Sequence, residues 1–243
     1  MTKIFAHRGA SAYAPENTME AFELAAKQGA DGIELDVHVT KDGEVVVTHD
    51  EKIDRVSNGS GFIKDMTLRE LKRLSFHNHM ESYVGVGIPT LREVLEYVST
   101  TNMDVNIELK TGIYWYPQIE EKTAFIVQET GMHDRVIYSS FNHYSIQQIK
   151  KIVPDAETAY LYSDVILNVE DYAENTGVDG LHPAVYHVKM ADFLKEYLDS
   201  GLNVRVWTVN EKEDMEWLIR AGVTAIITNY PDKAVQIKGK VEA

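Results

Sequence analysis

Short apolar runs rich in valine and isoleucine alternate along this chain with stretches in which apolar residues recur every three or four positions. The first pattern is typical of buried strands, and the second is typical of amphipathic helices. The predicted strands cover residues 3–7, 32–39 with 45–48, 104–109, 135–139, 157–162, 179–182, 203–208 and 224–228. The predicted helices cover residues 19–28, 91–100, 116–130, 144–152, 169–175, 189–200 and 212–221, and a last short helix follows Pro231.

Local signals mark where several of these helices begin. A capping side chain stands three residues before an acid in three pairs, which are Asn17 with Glu20, Thr90 with Glu93 and Asn210 with Glu213. Eight strands that alternate with eight helices predict an α/β fold, a closed (β/α)8 TIM barrel that takes up residues 1–243 as a single domain. An open doubly wound sheet is the alternative, because a strand count does not by itself establish closure.

Residues 51–89 interrupt this alternation. They separate His49 from the helix that begins at Leu91, and they far exceed the usual βα connection of about 2–6 residues. The segment holds a turn-rich string, Ser57-Asn58-Gly59-Ser60-Gly61, and a capping box from Thr67 to Glu70. We interpret it as an inserted cap subdomain after the second strand that covers the active face and selects substrates. A floppy surface loop is the alternative.

Acidic side chains occupy strand positions that face inward. In residues 32–39 the apolar side chains share one face, so Glu34 and Asp36 share the other, and Glu108 has the same position in residues 104–109. Buried acids are costly unless they are paired or bind a cation. A set of oxygen ligands near the C-terminal ends of barrel strands predicts one divalent cation, Mg²⁺ or Ca²⁺ rather than Zn²⁺. A salt-bridge network with Arg8 and Lys110 is the alternative.

Two histidines and an arginine also stand at strand ends. His7 closes the first predicted strand, and His49 closes residues 45–48, which we interpret as a parallel strand. An imidazole titrates near neutral pH, which suits proton transfer. Arg8 offers a planar fork for phosphate oxygens, although a surface ion pair would also explain it. His182 and Trp207 end later strands and are placed to line the same pocket, and core packing explains the tryptophan almost as well.

Composition limits the possible partners. The 243 residues include 24 basic and 38 acidic side chains, and this net charge of −14 disfavours nucleic acid and anionic membrane surfaces. Without cysteine, neither disulfides nor thiolate chemistry is available. No apolar run approaches the ~20 residues of a membrane span, and no signal peptide is visible. We therefore expect a soluble, cytoplasmic protein, with its oligomeric state left open.

Taken together, these strings resemble the glycerophosphodiester phosphodiesterase family over essentially the whole chain. The resemblance rests on the order and spacing of His7-Arg8-Gly9, Pro15-Glu16-Asn17-Thr18, Glu34-Leu35-Asp36-Val37, Val47-Thr48-His49-Asp50, Asp54-Arg55, Asn58-Gly59-Ser60-Gly61, Ile88-Pro89-Thr90-Leu91, Asn106-Ile107-Glu108-Leu109-Lys110, Ser139-Ser140-Phe141, Val206-Trp207-Thr208-Val209-Asn210 and Ile226-Ile227-Thr228-Asn229-Tyr230-Pro231. Two positions depart from the family pattern: Val56 stands where threonine is frequent, and Asn229 stands where aspartate is frequent. We expect neither departure to touch the chemistry.

The resemblance implies a barrel with an inserted cap that hydrolyses glycerophosphodiesters to sn-glycerol 3-phosphate and an alcohol. It implies that a divalent cation is held by Glu34, Asp36 and Glu108. It also implies an acid–base pair at His7 and His49 and phosphate contacts at Arg8 and Lys110. The attacking group is either the glycerol 2-hydroxyl or water, and the sequence does not assign which histidine is the acid.

Two other functions compete with this interpretation. A phospholipase-type diesterase that acts on intact lipids would need an apolar rim, for which aromatic residues in the loops are candidates: Phe76, Tyr83, Tyr114, Trp115 and Tyr116. A non-catalytic barrel that only binds phosphodiesters would predict the loss of a histidine or a carboxylate, and all of these residues are present.

Overall fold

Eight parallel strands close into a barrel in the computed structural model, which describes residues 1–242. The strands are β1 (Lys3–His7), β2 (Gly32–Val39), β3 (Val45–Val47), β4 (Asp104–Leu109), β5 (Val136–Ser140), β6 (Glu157–Tyr162), β7 (Gly180–Pro183), β8 (Asn203–Val206) and β9 (Ala225–Thr228). The barrel order is β1-β9-β8-β7-β6-β5-β4-β2, and β1 also pairs with β2, which closes the ring. The predicted (β/α)8 barrel is confirmed, and the open sheet is excluded.

The remaining strand, β3, corrects one prediction. It pairs antiparallel with the end of β2, with Val47 opposite Val37 and Val45 opposite Val39, so it is not a parallel barrel strand. Its apolar, β-branched residues predict a strand but carry no information on direction. The turn that reverses the chain is closed by the backbone N–H of Thr40, which donates to the carbonyl of Glu44 at 2.9 Å. The reversal returns the chain toward the barrel.

Helices lie between successive barrel strands. They are α1 (Met19–Lys27), α2 (Leu68–Leu71), α3 (Leu91–Ser99), α4 (Ile119–Glu129), α5 (His143–Ile152), α6 (Val169–Asn175), α7 (Val185–Val188), α8 (Phe193–Asp199), α9 (Lys212–Ala221) and α10 (Pro231–Val241). Two begin later than predicted, because a residue with positive φ precedes each one. Gln118 has φ 62° before α4, and Ala191 has φ 41° before α8.

Some of the predicted helix caps are confirmed and others are wrong. Thr90 and Glu93 form the expected capping box at α3, and the box from Thr67 to Glu70 begins α2. Asn17 and Asn210 do not cap: the N-caps of α1 and α9 are Thr18 and Glu211. Both asparagines instead hydrogen-bond to groups distant in the sequence, which capping rules based on local spacing do not detect.

The apolar residues form an outer shell and an inner plug. Ile33, Leu35 and the other outward residues of the strands pack against the helices. The smaller inner cluster fills part of the barrel and consists of Phe5, Ile137, Ala159, Ala225 and Ile227, with Trp207 packed on it. The alternation predicted for β2 is therefore confirmed, and its acids face the barrel interior.

Residues 51–89 have an apolar cluster of their own. It contains Val46, Ile53, Val56, Ile63, Leu71, Phe76 and Ile88. Val46 on β3 belongs to this cluster, so the segment packs against the β2–β3 hairpin. Such a cluster disfavours the floppy-loop interpretation, because a floppy segment has few buried apolar contacts. That the segment acts as a cap stays a prediction.

Within residues 1–242 we find no helix long and apolar enough to cross a membrane.

The inner cluster generates a stability prediction. Ile137 is 3% exposed inside the barrel, whereas Ile113 is 71% exposed on a loop. Ile137→Ala should lower the free energy of unfolding by about 2–5 kcal/mol through lost contacts and a cavity. Ile113→Ala should change it by less than about 0.5 kcal/mol. Urea unfolding followed by circular dichroism measures both, and equal effects of the two variants would contradict this account of the core.

Candidate active site

Three carboxylates meet inside the barrel at the carboxyl ends of β2 and β4. Asp36 and Glu108 are register partners on these strands, and Glu34 precedes Asp36 by two residues on the same face. One oxygen of each acid lies within 4.8 Å of the others. The residues are only 5% (Glu34), 1% (Asp36) and 7% (Glu108) exposed. Oxygens grouped in this way are the ligands that Mg²⁺ and Ca²⁺ prefer.

Burial and the nearest charges shift the pKa of Glu34 in the same direction but shift that of Asp36 in opposite directions. Burial raises the pKa of Glu34, and the charges of Asp36 and Glu108 raise it further. Burial also opposes ionisation of Asp36, but Arg8 and Lys110 outweigh it and hold the pKa of that carboxyl below its ordinary value. Oδ1 of Asp36 accepts no hydrogen bond from the described residues. An ionised, buried oxygen without a donor suits a cation ligand, so the residues present fit a divalent ion.

Two cationic side chains stand beside the acids. Nζ of Lys110 lies 2.8 Å from Oε1 of Glu108 and 3.7 Å from Oδ1 of Asp36. Nε of Arg8 lies 3.4 Å from Oδ2 of Asp36. Burial opposes the charge on Lys110, but the two acids raise its pKa above the ordinary value. The salt-bridge network expected as an alternative is therefore present. Its two cations do not cancel the repulsion within the cluster, since Asp36 and Glu108 still raise the pKa of Glu34.

A tight turn after β1 holds Arg8 in place. Arg8 has φ 57° and Gly9 has φ 80°, a left-handed pair that reverses the chain. The backbone N–H of Arg8 donates to Oε2 of Glu34 at 3.1 Å. A Cβ on Gly9 would lie 2.7 Å from Ala21 of α1, so only glycine allows the turn to pack this closely.

His7 directs one ring nitrogen toward the acids. Its Nδ1 donates to Oδ1 of Asn229 at 2.7 Å, because an amide oxygen can only accept. Nε2 is then the unprotonated nitrogen, and it lies 3.9 Å from Oε2 of Glu34. Burial, aided by the charge of Arg8, lowers the pKa of His7 to about 4. The expectation that Asn229 stands away from the chemistry is wrong, since its side chain orients His7.

His49 reaches the site through the β2–β3 hairpin. The backbone N–H of Thr48 donates to the carbonyl of Asp36 at 3.0 Å, which sets the next residue beside the acids. Nδ1 of His49 donates to Oδ1 of Asp50 at 2.6 Å, and Nε2 accepts from Nζ of Lys110 at 3.2 Å. Both ring nitrogens are thus held in place.

A cavity of about 140 Å³ connects these groups. Its walls contain both polar and apolar residues. The polar ones are His7, Arg8, Glu34, His49, Asn106 and Glu108, and the apolar ones are Phe141, Leu161, Trp207 and Ile227. A second cavity of about 250 Å³ shares His49, Glu108 and Phe141 with it and contains Lys110 and Glu51. Glu51 is the one residue of segment 51–89 in either wall. A larger cleft between α4 and α5 lies away from this chemistry.

Comparisons with known proteins identify this arrangement. The family model for the glycerophosphoryl diester phosphodiesterase family matches residues 7–233. A glycerophosphodiester phosphodiesterase of Caldanaerobacter subterraneus is 43% identical over 240 residues, 98% of each chain. One of Bacillus altitudinis is 44% identical over the full length of both chains. The chain belongs to the glycerophosphoryl diester phosphodiesterase family. It is therefore an enzyme of the phosphoric diester hydrolase class.

Solved structures of the family have the same fold. A glycerophosphodiester phosphodiesterase of Agrobacterium tumefaciens superposes with a TM-score of 0.85 at 29% identity, over 97% of this chain and 100% of that one. A phosphodiesterase of Oleispira antarctica, solved in complex with the product sn-glycerol-3-phosphate, has a TM-score of 0.90 at 28% identity. That superposition covers 98% of this chain and 96% of that one.

Within this member of the family, the structure brings together nearly all of the predicted site residues. Trp207 lines the cavity, and its Nε1 donates to the backbone carbonyl of His182 at 2.7 Å. The imidazole of His182 is fully buried and does not line the cavity. Its Nε2 lies 3.4 Å from Nη1 of Arg205, and burial with that charge lowers its pKa well below the ordinary value. Direct contact of His182 with a substrate stays a prediction that this placement disfavours.

Sequence reasoning missed a chain of ion pairs around the site. Glu16 accepts from Nη1 of Arg8 at 2.9 Å and from both Nη1 and Nη2 of Arg55 at 2.8 Å. Arg55 also donates from Nε to Asp50 at 2.7 Å, and Asp50 holds His49. The strings that contain these residues support the family resemblance, but spacing alone gave them no role. Arg55 links segment 51–89 to the site.

Buried asparagines were missed as well. Nδ2 of Asn17 donates to Oδ2 of Asp36 at 2.8 Å, and Asn106 lines the cavity. The sequence pattern around Asn17 predicted a helix cap rather than a contact with an acid. Strand alternation predicted that Asn106 faces inward but assigned it no function. Only the three-dimensional contacts show their relation to the acids.

The turn at Gly9 generates a prediction. Gly9→Ala should lower the free energy of unfolding by at least about 1–3 kcal/mol, because a side chain at this φ is strained and meets Ala21. Turnover should also fall, since Arg8 shifts with the turn. Gly87→Ala is the matched control, because nothing lies within 4 Å of its added Cβ. Thermal unfolding and activity are measured for both; a Gly9 variant no worse than the Gly87 variant would refute the role of the turn.

Proposed function

We propose that this enzyme catalyses the metal-dependent hydrolysis of glycerophosphodiesters to sn-glycerol 3-phosphate and an alcohol. The observation that carries the proposal is a single small cavity that joins His7, His49 and Arg8 to two of the three clustered acids. The Oleispira antarctica relative, solved with sn-glycerol-3-phosphate, supports the same product for this chain. The cavity of about 140 Å³ is smaller than the roughly 300–1,000 Å³ of pockets for drug-sized ligands, which favours a small ligand such as a glycerol phosphate group.

Glu34, Asp36 and Glu108 would hold one Mg²⁺ or Ca²⁺ ion. When bound, the ion supplies positive charge that stabilises the phosphate oxygens as negative charge develops on them. Arg8 lines this cavity, Lys110 lines the adjoining one, and both cationic groups lie beside Asp36. Their role is to orient the phosphodiester, since charge-assisted hydrogen bonds to phosphate are strong and directional.

The two histidines divide the proton transfers. His7 is neutral and presents an unprotonated Nε2, so we assign it to remove the proton from the attacking hydroxyl group. His49 is oriented by Asp50, and in its doubly protonated form it would give the proton on Nε2 to the leaving alkoxide, in place of the contact with Lys110. The attacking oxygen is that of the glycerol 2-hydroxyl or of water, and either attack breaks the bond between phosphorus and the leaving oxygen. Attack by the 2-hydroxyl gives a cyclic phosphate, which water then opens to sn-glycerol 3-phosphate.

The direct test is a coupled assay for sn-glycerol 3-phosphate across several glycerophosphodiesters. We expect release of the product with Mg²⁺ or Ca²⁺ and none with excess EDTA. The absence of product from every glycerophosphodiester in the presence of metal would refute the proposed function.

Lipid hydrolysis is a second candidate, because exposed apolar side chains surround the same end of the barrel. Ile113, Trp115, Tyr144 and Leu167 are 71%, 55%, 76% and 87% exposed on or beside the loops that follow β4, β5 and β6. Such residues suit contact with a lipid surface. Choline release from glycerophosphocholine in solution and from phosphatidylcholine vesicles separates the two. Faster release from vesicles would favour the lipid candidate.

Removal of one acid should weaken metal binding and turnover together. Glu108→Gln keeps the shape of the side chain but removes a ligand charge, so metal affinity should fall by at least about 10–100-fold. Calorimetric titration with Ca²⁺ and the coupled assay measure the two effects. Glu120→Gln is the control, because Glu120 is equally buried but accepts from Nε1 of Trp115 outside the site. Full activity of the Glu108 variant in EDTA would contradict the metal site.

The histidine assignment makes a sharper prediction. His7→Ala and His49→Ala should each reduce turnover of an alkyl diester by at least about 10²–10⁴-fold, and the double variant should lose less than the product of both effects. The leaving group of a p-nitrophenyl diester needs no proton. This substrate should therefore restore the turnover of His49→Ala but not that of His7→Ala.

His133→Ala serves as the control for these variants, since His133 is partly exposed and pairs with Asp155 away from the cavity. Its turnover should equal that of the wild type. Equal rescue of both cavity variants by the p-nitrophenyl diester would show that the roles are assigned wrongly.

A further inference from the structure

Asn106 has a buried side-chain amide for which residues 1–242 supply no hydrogen-bond partner. It lies on β4 in register with Glu34 and is 1% exposed. Neither Oδ1 nor Nδ2 has a hydrogen-bond partner among the described residues, although the side chain belongs to the cavity wall. Buried amides in native proteins are nearly always hydrogen-bonded, because desolvating them without a partner is costly. The natural partner of this amide is therefore something that enters the cavity.

The free atoms of Asn106 define the chemistry of that partner. A phosphate oxygen would use only the N–H donors, and a metal ion would use only the carbonyl oxygen. A hydroxyl group both donates and accepts, so it satisfies the two atoms together. The cavity wall also contains Leu161, Trp207 and Ile227, which suit the carbon atoms of a small polyol.

We propose that Asn106 recognises the free hydroxyl groups of the glycerol moiety and thereby selects glycerol phosphate compounds. This inference rests on the proposed function and adds the residue that sets its substrate selectivity. Arg8 and Lys110 bind the phosphate group, which every phosphodiester carries. Asn106 hydrogen-bonds to the free hydroxyl groups that distinguish glycerol from other alcohols. A diacylated lipid has no free glycerol hydroxyl, so Asn106 selects against it.

The experiment compares the binding of two ligands that differ only in their hydroxyl groups. The Ca²⁺-loaded protein is titrated calorimetrically with sn-glycerol 3-phosphate and with n-propyl phosphate. The wild type should bind sn-glycerol 3-phosphate about 10–100-fold more tightly. Asn106→Leu, which has nearly the same shape, should bring this ratio close to one without changing the affinity for n-propyl phosphate or Ca²⁺.

Stability separates recognition from a structural role. Asn106→Leu removes an unsatisfied buried amide, so its Tm without ligand should be at or above that of the wild type. Thr123→Val is the matched control, because the buried hydroxyl of Thr123 on α4 has no hydrogen-bond partner within residues 1–242 but lies outside the cavity. Its binding ratio should equal that of the wild type. If the Asn106→Leu variant does not fold, Asn106→Ala is measured in its place in the same way.

A binding ratio unchanged in both Asn106 variants would overturn the inference, and so would an equal loss in Thr123→Val. An unchanged ratio is also the expected result if only ordered water hydrogen-bonds to the Asn106 amide. These outcomes differ from failure of the proposed function. A wild type that prefers sn-glycerol 3-phosphate but hydrolyses no glycerophosphodiester would refute the function and leave the role of Asn106 in place.

Discussion

The site depends on the cost of burying three carboxylates against one another. Glu34, Asp36 and Glu108 are all nearly inaccessible, and their oxygens lie within 4.8 Å. Arg8 and Lys110 lie beside them, but Arg8 also pairs with Glu16, so two cations are shared among four carboxylates. Under the proposed function, a divalent cation held by the three acids would relieve their mutual repulsion and would attract the negative phosphodiester. The cost of burying the acids would then link the fold to both the metal and the substrate.

The register between neighbouring barrel strands places the acids and His7 side by side. Pairing of β2 with β4 sets Asp36 beside Glu108, while pairing of β1 with β2 sets His7 beside Glu34. The inner apolar cluster fills part of the barrel interior, so the polar groups gather at the carboxyl ends of the strands. The hairpin of β2 and β3 then adds His49 from outside the ring of parallel strands.

Strand alternation made the inward acids and the barrel predictable from sequence, because both depend on local periodicity. The direction of β3 was not predictable, since three valines favour a strand in either direction. Asn17 resembled a helix cap but donates to Asp36, and Asn229 was expected to stand away from the chemistry but accepts a hydrogen bond from His7. These contacts join residues far apart in the chain, where no local pattern constrains them. The site itself was largely predicted through resemblance to a family.

The central claim is that the three buried acids hold one divalent cation, and anomalous X-ray scattering from crystals grown with Mn²⁺ tests it most directly. Mn²⁺ prefers the same oxygen ligands as Mg²⁺ and Ca²⁺, and it gives a strong anomalous signal. The account predicts one dominant peak per chain, about 2.0–2.6 Å from an oxygen of each of Glu34, Asp36 and Glu108. Crystals with Mn²⁺ bound elsewhere, and no peak among these three acids, would contradict it.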